Sequence, residues 1–229
     1  MICELIEIDI PQLSSDGIEF GSWSFYCTYS LQSSSNPSSL PSPFDATGLE
    51  QYLYFGNKSP SNTSHVVKNR SQLDSIPTDV EDLWIQLFDT TDITNVSFNE
   101  FQSLKRLVIG TNLFWRVTSL SVSSLPSLQS IEIGNYCFGS VRLFELDGLS
   151  ELESVVIGEC SFRISGDERN DGSYRIVNCP KLKSIQIGND TFSDYHSIRI
   201  LNLPSLQSIE IGEYCFQYGP YFSLIGLID

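Results

Sequence analysis

Leucine, isoleucine and phenylalanine recur along this chain with one dominant spacing. Leu125 to Phe138 reads Leu-Pro-Ser-Leu-Gln-Ser-Ile-Glu-Ile-Gly-Asn-Tyr-Cys-Phe, and it returns almost letter for letter as Leu203 to Phe216. Looser copies run from Leu149 to Phe162 and from Cys179 to Phe192, and an earlier one ends in Leu104, Leu107, Ile109, Gly110 and Phe114. The glycines of the five copies are Gly110, Gly134, Gly158, Gly188 and Gly212, so every step is the same except the longer one between Gly158 and Gly188. A fixed period in the twenties predicts a solenoid, whose units bury their apolar faces only by stacking on their neighbours.

Each period holds two alternating apolar pairs, the mark of strands with one buried face. The first pair is Leu107/Ile109, Ile131/Ile133, Val155/Ile157, Ile185/Ile187 and Ile209/Ile211. The second is Leu120/Val122, Phe144/Leu146, Tyr174/Ile176, Ile198/Ile200 and Phe222/Leu224. The glycine closes the first strand, where a residue without Cβ can take positive φ or allow a tight turn. Proline at 126, 180 and 204 marks the opposite corner. Six extra residues in Ser165 to Ser173, a polar turn-forming run, account for the longer step and predict a loop at one corner.

The first hundred residues carry the same pattern in degraded form. Val80, Leu83 and Ile85 precede Leu104, Leu107 and Ile109 by one regular step, with Val96 and Phe98 opposite Leu120 and Val122. Ile18 to Phe25 and Leu53 to Gly56 match parts of the block, and Ile6, Ile8 and Ile10 read as the second strand of a still earlier coil. Gln32 to Ser42 and Asn57 to Asp74 read as polar insertions. The expected organisation is one array over 1–229, degenerate over 1–79 and regular over 80–229. Both ends stop in a second strand without a capping helix, which points to end-to-end self-association or to a piece of a longer array, the latter being favoured.

Composition narrows the partners. The formal net charge is −15 with 41% hydrophobic and 18% charged residues, an ordinary balance for a folded domain and a poor one for nucleic acid or anionic membrane. Glu4, Glu7 and Asp9 break any signal-peptide core, and no stretch is long enough for a membrane helix. Localisation is therefore open, with the cell surface or secretion expected if the chain is part of a longer protein. Five N-x-[ST] sequons, at Asn57, Asn62, Asn69, Asn95 and Asn189, lean the same way.

No catalytic, cofactor or metal motif occurs. Cysteines 3, 27, 137, 160, 179 and 215 match no zinc spacing, and Cys137 and Cys215 share a slot with Ser161 and Thr191, so buried free thiols are expected. His65 in a polar insertion and His196 near a corner have no Cys or Ser partner at a readable spacing. Candidate binding residues are instead the outward strand positions that alternation identifies. On the first sheet these are Arg106, Ser130, Ser154, Ser184 and Ser208, beside Glu132, Gln186 and Glu210; on the second, Glu145, Arg175 and Arg199. Arg142, Arg175 and Arg199 could seat an acidic partner, and pairing with Glu145 is the competing reading.

From Leu104 to Phe216 the Leu-x-Ser-Ile-x-Ile-Gly-x-x-x-Phe blocks resemble leucine-rich repeats of the BspA-like class. The resemblance implies a mainly β, right-handed solenoid of stacked leucine-rich-repeat-type coils with two short parallel sheets, and a binding or adhesion role. Ordinary leucine-rich repeats carry an asparagine ladder at one corner. That slot here holds Asn112, Tyr136, Cys160, Asp190 and Tyr214, so backbone groups and water are expected to satisfy the corner instead. The expected function is a non-enzymatic interaction module using a solenoid face and inserted loops. Its partner would be a protein or, as a second class, a carbohydrate. The alternative is a structural, self-assembling scaffold segment. A β-helical hydrolase or lyase would need a carboxylate cluster on one face, and Glu132 and Glu210 share their column with Val108, Val156 and Gln186.

Overall fold

A computed structural model describes residues 7–9, 18–20, 60, 63–86, 89–164 and 172–217. In chain order its elements begin with β1 (Glu7–Asp9), β2 (Ile18–Phe20), β3 (His65–Val67), the helical turn α1 (Arg70–Leu73), β4 (Asp82–Ile85), β5 (Asn95–Ser97), β6 (Arg106–Ile109) and β7 (Ser119–Ser121). They continue with β8 (Ser130–Ile133), β9 (Leu143–Asp147), β10 (Ser154–Ile157), β11 (Gly172–Val177), β12 (Ser184–Ile187), β13 (Tyr195–Leu201) and β14 (Ser208–Ile211). The described strand pairs are all parallel. One sheet has eight strands in the order β2-β14-β12-β10-β8-β6-β4-β3. The other side, expected as one sheet, is divided into a four-stranded ladder, β1-β13-β11-β9, and the pair β5-β7.

Register follows the repeat. Leu83, Leu107, Ile131, Val155, Ile185 and Ile209 form one column, and Ile85, Ile109, Ile133, Ile157, Ile187 and Ile211 a second. All twelve are buried. Beside them the repeat phenylalanines stack as Phe114, Phe138, Phe162, Phe192 and Phe216, with successive ring centroids 5.5, 5.2, 4.8 and 5.4 Å apart. Each ring contributes about 1.5–3 kcal/mol by burial, and each stacked pair about 0.5–1.5 kcal/mol more. The second-strand residues Phe144 and Tyr174 close on this column edge-on.

The repeat glycines serve close approach, not positive φ. A Cβ on Gly134 would stand 2.7 Å from the Gly110 carbonyl carbon, and one on Gly158 or Gly212 would meet the preceding coil's backbone as closely. The left-handed positions come just after them. Asn112, Tyr136, Cys160, Asp190 and Tyr214 have φ between 53° and 61°, and the five stacked phenylalanines between 51° and 59°. The conformation costs a non-glycine residue about 1–2 kcal/mol. Phe138, Phe162 and Phe192 donate their N–H back to the Leu113, Cys137 and Ser161 carbonyls of the preceding coil, whereas the first set points forward. Asn112, Tyr136, Cys160 and Asp190 donate to Asn135, Glu159, Asn189 and Glu213 carbonyls at 2.7–2.8 Å. Backbone thus satisfies this part of the corner, as expected.

From the coil of β8 onward the slot of Cys137, Ser161, Thr191 and Cys215, which holds Leu113 in the coil of β6, does the rest through side-chain hydrogen bonds. Cys137 Sγ donates to Gly110 O (3.0 Å), Ser161 Oγ to Gly134 O (2.8 Å), Thr191 Oγ1 to Gly158 O (2.7 Å) and Cys215 Sγ to Gly188 O (3.0 Å). Ser161 Oγ and Thr191 Oγ1 also accept the Cys137 and Ser161 backbone N–H groups. The thiols are free, and burial pushes the Cys137 thiol up to about 12, so it stays protonated and donates.

A second column runs along the coil edges. Its members are Glu81, Lys105, Gln129, Glu153, Lys183 and Gln207, each joined to the next by a backbone hydrogen bond of 2.7–2.8 Å. Lys105 pairs with Glu81 and Lys183 with Glu153, both at 2.8 Å. Next to it Lys181 bridges to Glu151 at 2.7 Å.

Two expectations about the N-terminal part need correction. The stretch 57–74 is not simply a polar insertion: it holds β3, whose His65 and Val67 stand opposite Leu83 and Ile85. It also holds α1, capped by Asn69 Oδ1 on the Gln72 N–H (3.0 Å), with Gln72 Oε1 returning to the Lys68 N–H (2.7 Å). The step from β3 to β4 is shorter than the regular repeat, which hides the strand from a search at the fixed period. Residues 6–10 and 18–25, read as the array's earliest coils, contribute β1 and β2 at the opposite end. There β1 pairs with β13 and β2 with β14. The expected strands at Leu53 to Gly56 and at Phe222 and Leu224 lie outside the described residues.

Candidate interaction surface

The outer face of the eight-stranded sheet is built by the residues between the inward ones. In-register pairing aligns Asp82, Arg106, Ser130, Ser154, Ser184 and Ser208 in one column. The neighbouring column is Val66, Trp84, Val108, Glu132, Val156, Gln186 and Glu210. Adjacent members of either column stand one strand spacing, about 4.8 Å, apart. The four serines are half-buried, as are Arg106, Gln186 and Glu210. Gln186 Nε2 donates to Glu210 Oε2 at 2.9 Å.

Glu132 departs from the expected exposed position. It is 7% exposed, and its column neighbours Val108 and Trp84 are buried too. Its register partners are Val108 and Val156, so branched side chains stand one strand away on either side, and the Arg106 guanidinium is close enough to be stabilised by its charge. At this end the face is a closed polar cluster. Arg106 Nε and Nη2 hold Asp82 Oδ1 and Oδ2 at 2.9 and 2.8 Å, and the guanidinium lies 5.4 Å over the Trp84 ring. Trp84 Nε1 and Ser64 Oγ donate to the same carboxylate. Burial raises the Asp82 carboxyl, but the hydrogen bonds from Arg106, Ser64 and Trp84 and the charge of Arg106 outweigh it and hold the group below the ordinary aspartate range.

The second side offers a different arrangement. Arg175 pairs across the strands with both Glu145 and Asp147, the latter at 3.1 Å. Arg199 stands opposite Arg175 in register, and Arg199 and Arg142 are both exposed. At the adjoining corner Trp115 and Leu143 are exposed. Of the sequons, Asn189 is tied into the corner, its Oδ1 accepting the Glu213 N–H at 2.8 Å, and Asn69 caps α1; Asn95 is exposed. Among the described residues no group of three or more His, Cys, Asp or Glu could hold a metal ion. His65 belongs to β3 and His196 to β13. Among the described residues no helix is long and apolar enough to cross a membrane.

Two stacked parallel faces, a phenylalanine column from Phe114 to Phe216 and close glycine contacts at Gly134, Gly158 and Gly212 define a leucine-rich-repeat solenoid. The family model for the BspA type leucine rich repeat region matches residues 68–168 and 150–225, in six copies, and the chain belongs to that family. No curated protein and no solved structure matches it. The family suggests an interaction module in general terms and is typically non-enzymatic.

Proposed function

We propose that this protein is a non-enzymatic recognition module that binds a protein partner on the outer face of its eight-stranded sheet, between β8 and β14. The observation that carries the reading is the unbroken register of Ser130, Ser154, Ser184 and Ser208 beside Gln186 and Glu210. The four serines are short groups at a fixed spacing, and short side chains lose little rotamer freedom on binding. The column also carries carboxylates, and the net charge is −15, so the complementary segment is basic. The second side supports the reading less, because Arg175 is already engaged by Glu145 and Asp147.

The test places bulk and positive charge on the face. The double variant Ser154→Arg/Ser184→Arg is compared with Arg199→Glu on the other side, using partners recovered from the natural environment. The expected outcome is a loss of affinity of more than tenfold for the serine variant, none for Arg199→Glu, and weaker wild-type binding as salt is raised. Equal binding by all three proteins would remove this face from consideration. A glycan recovered in place of a protein would move the reading to the carbohydrate class. The scaffold alternative is checked by sedimentation: a single species over a wide concentration range counts against it.

A further inference from the structure

The coil that closes the array beyond β14 comes from the wrong end of the chain. Along the second side, strands succeed one another at Phe144, Tyr174 and Ile198, and the next regular step falls at Phe222 and Leu224. The strand that pairs with β13 in the structure is β1, with Ile8 opposite Ile200. On the first sheet β2 follows β14, with Ile18 opposite Ile209 and Phe20 opposite Ile211. The spacing is nearly that of the repeat: the path from Ile8 to Ile18 is one position longer than those from Ile176 to Ile185 and from Ile200 to Ile209. The two strands β1 and β2 therefore occupy an edge at which the regular step of the sequence would place a later repeat.

Only residues 21–64 tie these two strands to the rest of the array, and they join them to β3, seven strand steps away at the other end of the sheet. That is about 34 Å, which a chain of this length can span several times over. The edge of β13 and β14 offers the same ladder and the same Ile-x-Ile columns to these two strands from any copy. Covalent attachment favours the chain's own segment by raising its local concentration to roughly millimolar. We propose that the β13–β14 edge is a strand-acceptor site, filled by β1 and β2 of its own chain and open to the same two strands of a second copy when its own have left. The occupant is a pair of short strands, Glu7–Asp9 and Ile18–Phe20, added in parallel to the ladder, which is separate from recognition on the outer face.

Two experiments test it. A labelled peptide of residues 1–24 is titrated into a chain lacking those residues and into the intact protein. Saturable binding to the shortened chain, at least tenfold weaker binding to the intact one, and loss of binding by a peptide carrying Ile8→Asp and Ile18→Asp are expected. Equal binding by both chains, or none by a shortened chain that still melts cooperatively, overturns the proposal. The second experiment needs no truncation. Full-length Glu7→Cys and full-length Arg199→Cys, which stand opposite in register, are unfolded together, refolded at high concentration and oxidised. A dimer whose linked peptides join positions 7 and 199 is expected. A mixture that refolds without that link overturns exchange between copies.

Discussion

At the residue scale, stacking sets the rules, and it separates glycines that look alike. Gly158 has no room: a Cβ there meets Asn135 Oδ1 at 2.3 Å and backbone atoms of Gly134 and Asn135 at 2.7 Å. Gly148 has φ +68° and open space around its missing Cβ, and it occupies the slot of Ser124, Asn178 and Asn202, all near φ 55°. Gly158→Ala is expected to cost about 1–3 kcal/mol by overpacking. Gly148→Asn is expected to change stability by less than about 0.5 kcal/mol, since asparagine tolerates this conformation. Urea midpoints at fixed protein concentration check both. Spacing locates Gly158 but not its reason, since a forbidden Cβ and a positive φ can both select glycine, and it does not single out Gly148, whose slot elsewhere holds Ser124, Asn178 and Asn202. The Cys/Ser/Thr slot is similar. Its small size is legible in the sequence, while the shared ability to donate to the preceding coil's glycine carbonyl emerges only from the stacked geometry.

At the element scale, β4 and β6 are locked by the Asp82–Arg106 pair together with Trp84 and Ser64. Because Asp82 titrates lower in the fold than it would unfolded, its contribution is fully present above the unfolded aspartate range and is lost as pH falls through the folded value. Wild type is therefore expected to lose more stability below about pH 4 than Asp82→Asn, which is already weaker at pH 7. Thermal melts from pH 7 to 2.5 measure the difference, and parallel curves would refute the assignment. The inward and outward faces of β6, β8, β10, β12 and β14 are readable from alternation. How far neighbours close over an outward residue is not, and Glu132 shows why. Its burial depends on what stands one coil away, at Val108 and Val156, and on the Arg106 guanidinium, more than a coil earlier in the chain. The strand β3 is hidden in the sequence for a related reason, since its shorter step and His65 replace the period and the aliphatic residue that mark the column elsewhere.

At the scale of the whole molecule, stability is carried by contacts between successive coils, so position along the array governs the outcome of damage. Ile187→Asp places an unpaired charge in the centre of the continuous core and is expected to abolish the cooperative transition. Val67→Asp, in the terminal strand β3, is expected to release that strand while the coils from β6 onward still melt together. Hydrogen exchange resolved along the chain separates the two results. The edge column of Glu81, Lys105, Gln129, Glu153, Lys183 and Gln207 carries a further implication. Its letters repeat every three coils, the same distance that separates the two near-identical blocks at Leu125 and Leu203. Duplicating the Lys105 coil alone would set lysine on lysine, whereas adding or removing three coils together reproduces every neighbour. The triplet, not the single coil, is the increment by which an array of this kind can change length without repairing its edge.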